Sequence, residues 1–583
     1  MSTIPRELRA ATPAAAAPAT RRGRAPGEGA VLGSMKLAWL ALLLLGLLLP
    51  LAAMLLQATG LVTTARGGEH GLALVAHVLG DANFLPMVGR SLAVAATVAA
   101  IVVPLAFAFA YAMQRTRLPL RGVLRALAML PLFAPSLLPG IALVYLFGNQ
   151  GLFKDWVGGS IYGFWGIVAG EAFYTFPYAL MPLLATLALA DGRLYDAARA
   201  MGAGPWRTFR TVTLPGARYG LFGAFALVFT LVATDFGVPT VVGGSYQVLA
   251  VEAYKAVVGQ QQFARGAVIG LLLLLPAVLA FGLERLVQRR QHAQMASRAQ
   301  PYAPRANRLR DAAFLLLALL VAGWILLILA TAVGASLVKL WPYNLELTLR
   351  NYDFDNMDGG GWLAYRNSLK LATLTAVFGT ALIFTGAWLL EKTRAGRLAA
   401  WTHPLIRLCI LLPMAVPGLV LGLGYVFFFN HPANPLHGLY GGMALLVLCT
   451  IMHCATTAHL TSVSALGQLD PVFEAVSASL KVGALRTFWR VTLPICLPTV
   501  LANARYLFVS AMTTVSAVIF LYSPDTVLAS VAVLNMDDAG DIGPAAAMST
   551  LILLTSIAAT LLLSLLTHRL VRRTQAWRSA PRD

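Results

Sequence analysis

Charged residues are scarce in this sequence. Asp, Glu, Lys and Arg make up only 12% of its 583 residues, while 58% of the residues are hydrophobic. Soluble domains contain about 25% charged residues, because those residues cover the surface that faces water. The scarcity excludes an ordinary soluble protein and indicates that most of the chain lies in a lipid bilayer.

Cysteine is also scarce, and no two cysteines have the Cys-x-x-Cys spacing of a metal or redox site. The four cysteines lie in or beside apolar runs. Cys449 and His453 share a helix face, but two ligands do not form a metal site. We therefore expect no disulfide, bound metal or cofactor in this chain.

Motifs of enzymes are missing as well. The sequence has no Gly-x-x-x-x-Gly-Lys-Ser/Thr loop, so it lacks the usual cradle for nucleotide phosphates. His453 lies beside Cys454 within an apolar run, but helix packing explains this pair, and no cluster of histidines accompanies it. We predict that the chain has no catalytic residues and is not an enzyme.

The net charge of +20 follows from membrane topology. Most of the 44 Lys and Arg residues lie in connections between apolar runs, as is typical of cytoplasmic loops. An N-terminus in the cytoplasm places the majority of them inside, and the opposite orientation would reverse this. We expect a multi-pass protein of the bacterial inner membrane with both termini cytoplasmic, and no nucleic-acid partner.

Apolar runs of about 20 residues cross a bilayer as helices, because a helix satisfies its own backbone groups there. Twelve runs qualify, which predicts an all-α integral membrane protein with twelve transmembrane helices. They lie near 37–57, 91–113, 125–147, 163–188, 219–239, 265–284, 313–337, 367–390, 402–429, 438–461, 499–521 and 545–567.

The two halves of the sequence repeat one another. Three strings recur in chain order at offsets that rise slowly from 277 to 279, which indicates duplication. The pairs are 110–117 with 387–394, 135–140 with 413–418, and 207–215 with 486–494. Each half starts and ends inside, so the two six-helix repeats are parallel and a translocation path would follow their pseudo-twofold axis.

Five segments follow from this pattern. The first and last are cytoplasmic tails, and a cytoplasmic linker joins the repeats. The N-terminal tail is expected to be disordered, because it is rich in Ala, Pro and Arg and lacks apolar periodicity. The segments are 1–35, the first repeat 36–286, the linker 287–311, the second repeat 312–568 and the tail 569–583.

The last repeated string ends a cytoplasmic loop between the fourth and fifth spans of each half. In the first copy, Asp196 precedes small residues that favour a short helix. Gly202 and Gly204 permit a sharp exit, Phe209 offers an apolar knob, and Pro215 closes the loop. Such a helix suits either docking on a soluble partner or lying on the lipid surface. Two copies on one side favour a twofold partner.

These residues resemble a known motif. Asp196-Ala197-Ala198, followed by Gly202 and Leu214-Pro215, is similar to the EAA loop of binding-protein-dependent ABC importer permeases, with Asp196 in place of the usual Glu. The resemblance implies the type I, MetI-like permease fold. It also implies an ABC ATPase homodimer that binds ATP and Mg and docks on the loops, and a periplasmic solute-binding protein.

The second loop departs from this motif. Glu474 matches Asp196 at an offset of 278, but the later string matches at 279, which predicts one inserted residue between them. The position of Gly202 then falls at Leu480 or Lys481, unless Gly483 takes over its role, and the two loops should couple unequally. The predicted coupling residues are Asp196, Ala197, Gly202, Gly204, Phe209 and Pro215 in the first loop (189–218), and Glu474, Ala475, Gly483, Phe488 and Pro494 in the second loop (468–498).

Ionisable residues within spans are costly and indicate function by default. Glu171 and Asp235 lie in the outer parts of adjacent spans. Arg505 lies near the cytoplasmic end of its span, where snorkelling explains it. Interhelical hydrogen bonds are the alternative role for the acids and for the polar residues of the eleventh span. The candidate pathway residues are Glu171, Asp235, Ser510, Thr513 and Thr514.

Longer strings resemble a subgroup of these permeases. Asp235-Phe236-Gly237-Val238-Pro239 is similar to fused permeases for ferric iron and 2-aminoethylphosphonate. The segment 513–521 is closer to the aminoethylphosphonate branch. The predicted function is ATP-driven import of 2-aminoethylphosphonate by alternating access. Import of ferric iron, or an ion-gradient-driven secondary transporter, remains as an alternative.

Overall fold

The computed structural model describes residues 28–59, 72–156, 160–292, 300, 302–393 and 397–574. Most of the predicted tails, and part of the predicted linker, lie outside these residues. The first helix already begins at Glu28, so the end of the N-terminal tail was predicted several residues too late.

The first half is helical throughout its described part. A π turn at Leu44–Leu48 joins its first two helices into one span. The helices are α1 Glu28–Leu43, α2 Leu49–Ala58, α3 Leu72–Gly80, α4 Phe84–Arg115, α5 Arg121–Ala128, α6 Leu137–Phe147, α7 Phe164–Ala188, α8 Gly192–Ala200, α9 Pro205–Thr208, α10 Leu214–Thr234, α11 Gly237–Val242, α12 Leu249–Tyr254 and α13 Phe263–His292.

The second half follows the same order of helices. It adds one antiparallel hairpin, β1 Val338–Leu340 and β2 Asn344–Leu347, as a small exception to the all-α prediction. The helices are α14 Arg308–Ser336, α15 Gly361–Leu374, α16 Thr380–Lys392, α17 Arg397–Leu411, α18 Gly418–Phe429, α19 Met443–Gly467, α20 Val472–Ser479, α21 Ala484–Thr487, α22 Leu493–Thr513, α23 Ala529–Ala539 and α24 Ile542–Thr574.

Ten helices within the described ranges are long and apolar enough to cross a membrane, and a bent pair raises the number to eleven. The pair, Trp401–Ala415 and Gly418–Phe429, bends by 117° within the predicted ninth span. The third predicted span is also broken, into α5, a 3-10 turn at Leu130–Phe133 and the eleven-residue α6. Prolines within both breaks remove backbone donors, so neither run can form one straight helix.

The first helix of each half packs against the other half. Trp39 and Met54, from α1 and α2, lie in the same buried cluster as Leu419 and Cys449 of the second half. In the reciprocal arrangement, Ile325 of α14 is buried with the helices of the first half. The two halves therefore interlock through exchanged first helices.

Candidate functional site

The first loop is a short helix closed at both ends by local hydrogen bonds. The Oδ1 atom of Asp191 accepts a hydrogen bond from the backbone N–H of Arg193 (3.0 Å) and so caps α8. Gly202 ends that helix with φ of +74°, a conformation that glycine adopts without strain. Gly204 then caps α9 in an extended conformation.

The second loop repeats this geometry residue by residue at an offset of 279. Asp470 Oδ1 accepts from the N–H of Val472 (2.9 Å), as Asp191 does in the first loop. Lys481 occupies the left-handed position of Gly202, with φ of +54°. Gly483 caps α21 and therefore corresponds to Gly204.

The closing hydrogen bonds confirm this register. The Ala203 N–H donates to the Ala198 carbonyl (2.9 Å), and the Val482 N–H donates to the Ser477 carbonyl (2.9 Å). The inserted residue predicted from the sequence is therefore wrong. The offset already equals 279 where α7 and α19 begin, because the extra residue lies before those helices. The sequence pattern had matched Glu474 with Asp196, although Glu474 lies one position before Ala475, the true equivalent of Asp196.

The corrected register changes the comparison with the EAA motif. Glu474 occupies the position of Tyr195, and Ala475 occupies that of Asp196. Asp196 itself is exposed and pairs with Arg199, one turn along the same helix. The second loop thus has neither the acid nor the glycine of the motif in place.

Each loop is anchored by one phenylalanine among aromatic rings. Phe209 lies 6.3 Å from Phe107 and 6.0 Å from Tyr111 between ring centroids, both rings belonging to α4. In the second half, Phe488 lies 6.1 Å from Phe384 and 4.6 Å from Trp388, both on α16. The predicted residues Phe209 and Phe488 therefore make equivalent contacts.

Arg115, at the end of α4, anchors the first loop through hydrogen bonds. Arg115 is 2% exposed, and its Nη2 donates to the Leu187 carbonyl (2.7 Å) at the end of α7. Its Nε donates to the hydroxyl of Tyr195 on α8 (3.3 Å). The rings of Tyr195 and Tyr302 cover the guanidinium, with centroids 5.0 and 4.7 Å from Cζ. This buried cation is stabilised by carbonyl dipoles and aromatic faces.

The second half uses an ion pair at the same place. Lys392 ends α16 as Arg115 ends α4, and its Nζ lies 2.8 Å from Oε1 of Glu474. Both side chains keep partial contact with water. Neither basic residue was among the predicted coupling residues, although both belong to the repeated strings 110–117 and 387–394.

The segment before each exchanged helix braces the opposite loop. Ahead of α14, Gln300 donates its N–H to Asp191 (3.2 Å) and accepts from the N–H of Gly192 (2.8 Å). The N–H groups of Arg193 and Gln300 hold the pKa of Asp191 below its ordinary value. At the start of α1, Glu28 Oε1 accepts from the N–H of Ala484 and so caps α21.

Apolar side chains project from both loops into open space. Met201 and Trp206 are 78% and 68% exposed in the first loop, and Leu480 and Trp489 are 69% and 64% exposed in the second. Isolated exposed apolar residues are common, but two groups on equivalent loops form a repeated surface.

The candidate pathway residues lie where two helices end. Asp235 follows the last residue of α10, and Thr514 follows the last residue of α22, both with extended backbone. Glu171 lies on α7 and is fully buried. Thr513 and Ser510 lie on the last turns of α22 and are partly buried. The fifth and eleventh spans therefore end earlier than predicted, at Thr234 and Thr513.

Arg505 lies apart from these residues. Its Nη1 donates to the hydroxyl of Ser564 on α24 (2.9 Å). This bond accounts for the side chain within the helix bundle without any contact to a solute.

Known proteins agree with the duplicated arrangement. The family described as binding-protein-dependent transport system inner membrane component matches residues 100–293 and again 393–574. The chain is 26% identical over 510 residues to the ferric transport system permease protein FbpB of Actinobacillus pleuropneumoniae, covering 83% of this chain and 71% of that protein.

Shorter relatives correspond to part of the chain. One is the sulfate transport system permease protein CysW of Synechocystis, 27% identical over 265 residues, which cover 43% of this chain and 90% of that protein. Another is the spermidine/putrescine transport system permease protein PotC homolog of Mycoplasma genitalium, 28% identical over 201 residues, or 34% and 69% of the two chains. The chain belongs to the family of binding-protein-dependent inner membrane transport components, as the permease subunit of an ABC importer whose ATPase and substrate-binding protein are separate partners.

Proposed function

We propose that this permease imports 2-aminoethylphosphonate through an alternating-access path between its two halves. Twelve segments cross the membrane as two six-segment repeats, with both termini cytoplasmic, and each broken helix serves as one crossing. The observation that carries the coupling mechanism is the pair of equivalent loops, in one register and each anchored by an aromatic cluster beneath exposed apolar side chains.

An ATPase homodimer docks on these two loops. Exposed side chains such as Trp206 and Leu480 enter grooves on its subunits, as short helices do in helix-in-groove recognition. Movement of a loop passes to α4 or α16 through Phe209 or Phe488, and to the end of α7 through Arg115. Nucleotide binding in the partner would then change the packing of the spans.

Ferric iron is the second candidate substrate. The FbpB relative, whose alignment covers most of this chain and most of that protein, is named a ferric transport permease and therefore favours ferric iron. The resemblance of segment 513–521 favours 2-aminoethylphosphonate. The names of the shorter relatives include sulfate and polyamines, so family membership alone leaves the substrate open.

Uptake by proteoliposomes tests these assignments. They should contain the permease, its ATPase and its binding protein, and uptake of labelled 2-aminoethylphosphonate and of ferric iron should be measured in parallel. We expect uptake of the phosphonate that requires ATP and is unaffected by an uncoupler. Uptake that continues without the ATPase and collapses with the uncoupler would instead indicate a secondary transporter.

A double variant tests the coupling loops. Gly202→Trp combined with Glu474→Lys should abolish ATP-driven uptake while the permease still assembles in the membrane. Full uptake by this variant would contradict the role of the loops.

A further inference from the structure

A group of polar and aromatic side chains lies between the halves, and only two of its members, Glu171 and Asp235, are candidate pathway residues. Glu171, Tyr174, Tyr178 and Asp235 come from the first half, and Tyr506 from the second. We call these five residues the central cluster. Cys454 of the second half lies beside Tyr178 and Tyr506, so the cluster bridges the pseudo-twofold axis.

The acidic members face each other without a basic partner. The carboxyl groups of Glu171 and Asp235 are in contact, and Asp235 Oδ2 also accepts from the N–H of Val238 (3.0 Å). Glu171 is 0% exposed, and its carboxylate oxygens receive no hydrogen bond from the described residues other than through the facing Asp235. Within those residues, no Arg or Lys pairs with either acid. Two buried carboxyl groups in contact share a proton, so the pair carries at most one negative charge, and a cation that enters beside them would be stabilised by that charge.

The backbone places a helix start and a helix end beside Asp235, whose carboxyl group accepts from N–H groups at the start of α11. Helix α10 ends at Thr234, directly beside Asp235, so the carbonyl end of its dipole points toward the acids. In transporters, helices that end inside the membrane present carbonyl groups to cations. The second half repeats the break at Thr513, but Thr450 and Thr514 take the positions of Glu171 and Asp235. The site is therefore one-sided.

Tyrosine rings continue from the acids along the interface. Tyr174 lies one turn from Glu171 on α7, and its ring centroid is 5.7 Å from that of Tyr178. Tyr506 approaches Tyr178 from α22, and its hydroxyl lies near the side chains of Thr457 and Ser510. All three tyrosines are partly exposed although they lie deep in the bundle, so they face a gap between the halves.

We infer that the central cluster binds the ammonium group of the transported solute. Carboxylates beside aromatic faces suit an organic cation, which gains both ion pairing and cation–π attraction. A bare metal ion fits less well, because the described residues contain no group of three or more His, Cys, Asp or Glu that could hold one. This inference rests on the proposed function and specifies its substrate class.

Charge-selective labelling tests the site without transport. Cys409, Cys449, Cys454 and Cys496 are replaced by alanine, and Ser510→Cys provides one reporter in the gap. The purified permease reacts in detergent with trimethylammonium-ethyl or sulfonatoethyl methanethiosulfonate. We expect the cationic reagent to react about tenfold faster, after correction for intrinsic reactivity, because the negative charge of the acid pair attracts the cationic reagent and repels the anionic one through a medium of intermediate dielectric constant.

Two comparisons make the result specific. Adding Glu171→Gln and Asp235→Asn should bring the ratio of cationic to anionic labelling rates close to one. A control reporter at the outer residue Ser245, made by Ser245→Cys, should show the same ratio with and without these two substitutions. Equal reaction rates in the parent, or a ratio that survives neutralisation, would overturn the inference. If the double variant elutes as aggregate, Glu171→Gln alone is used and should reduce the ratio by at least threefold.

Protection identifies the cation. Ethanolamine should slow cationic labelling of the Ser510→Cys reporter, and gallium(III) should not. If gallium(III) slowed the labelling and ethanolamine did not, the cluster would bind a metal ion rather than an ammonium group, and the assignment would be overturned. Since labelling needs neither ATP nor a binding protein, its failure is distinguishable from a failure of ATP-driven import in proteoliposomes.

Discussion

The two loops share one backbone geometry but are held in different ways. The first loop buries Tyr195 and Ala198 of its helix α8 and is tied by Arg115, whereas α20 of the second loop has no buried residue. The second loop depends on the pair Lys392–Glu474 and on Glu28. Duplication thus preserved the register and the aromatic anchor, while the polar contacts diverged. We expect the first loop to be the more rigid of the two.

The largest difference should appear when the two basic residues are removed. Arg115→Met should lower the free energy of unfolding by about 3 kcal/mol, because three hydrogen bonds from a buried cation are lost. Lys392→Met should cost about 1 kcal/mol, since its ion pair keeps some contact with water. Thermal unfolding of the purified permease measures both, with Arg210→Met, an exposed change, as the control. Equal losses would contradict the proposed difference in rigidity.

The second-largest difference between the two loops should appear in their contributions to ATPase affinity. Trp206→Ala should weaken binding of the purified ATPase about tenfold, as expected for an exposed aromatic hot spot. Leu485 occupies the equivalent position in the second loop and is only partly exposed, so Leu485→Ala should weaken binding less than threefold. Surface plasmon resonance on nanodisc-embedded permease measures both affinities. A larger effect of Leu485→Ala would show that the second loop dominates docking.

The left-handed positions should give a smaller effect. Gly202→Ala should destabilise the permease by about 1 kcal/mol through backbone strain alone, because no atom lies within 4 Å of the added Cβ. Lys481→Gly should be close to neutral, since relief of strain offsets the greater freedom of the unfolded chain. The midpoints of thermal unfolding distinguish the two outcomes. A marked gain of stability in Lys481→Gly would show that the second loop is strained.

The smallest effects should separate the two braces. Glu28→Gln should speed amide exchange at Ala484 about twofold, because the charge at the start of α21 is lost. Asp191→Asn should act to a similar extent at Arg193. Hydrogen–deuterium exchange measures both sites in each variant. If either variant changed both loops equally, the braces would not act separately.

Sequence reasoning reached the repeat, the loops and most spans because long apolar runs and repeated strings are local signals. Prolines such as Pro413 and Pro417 indicate a broken hydrogen-bond ladder in the ninth span, but they do not give the angle at which its two parts bend. Sequence reasoning misaligned Glu474, because one shared acid outweighed a backbone register that only hydrogen bonds reveal. Contacts such as Glu28 with Ala484 join residues more than 450 positions apart, and no local pattern encodes them.

The exchange of first helices also determines the order in which the helices can pack during biosynthesis. Helix α1 packs against α16 and α17, which follow it by several hundred residues. At about 5–20 residues per second, α1 would wait tens of seconds in the membrane before these partners were made. During that interval its buried face, including Trp39 and Leu43, would contact lipid or a chaperone. The interlocked halves therefore imply that neither half completes its packing until the ribosome has nearly finished the chain.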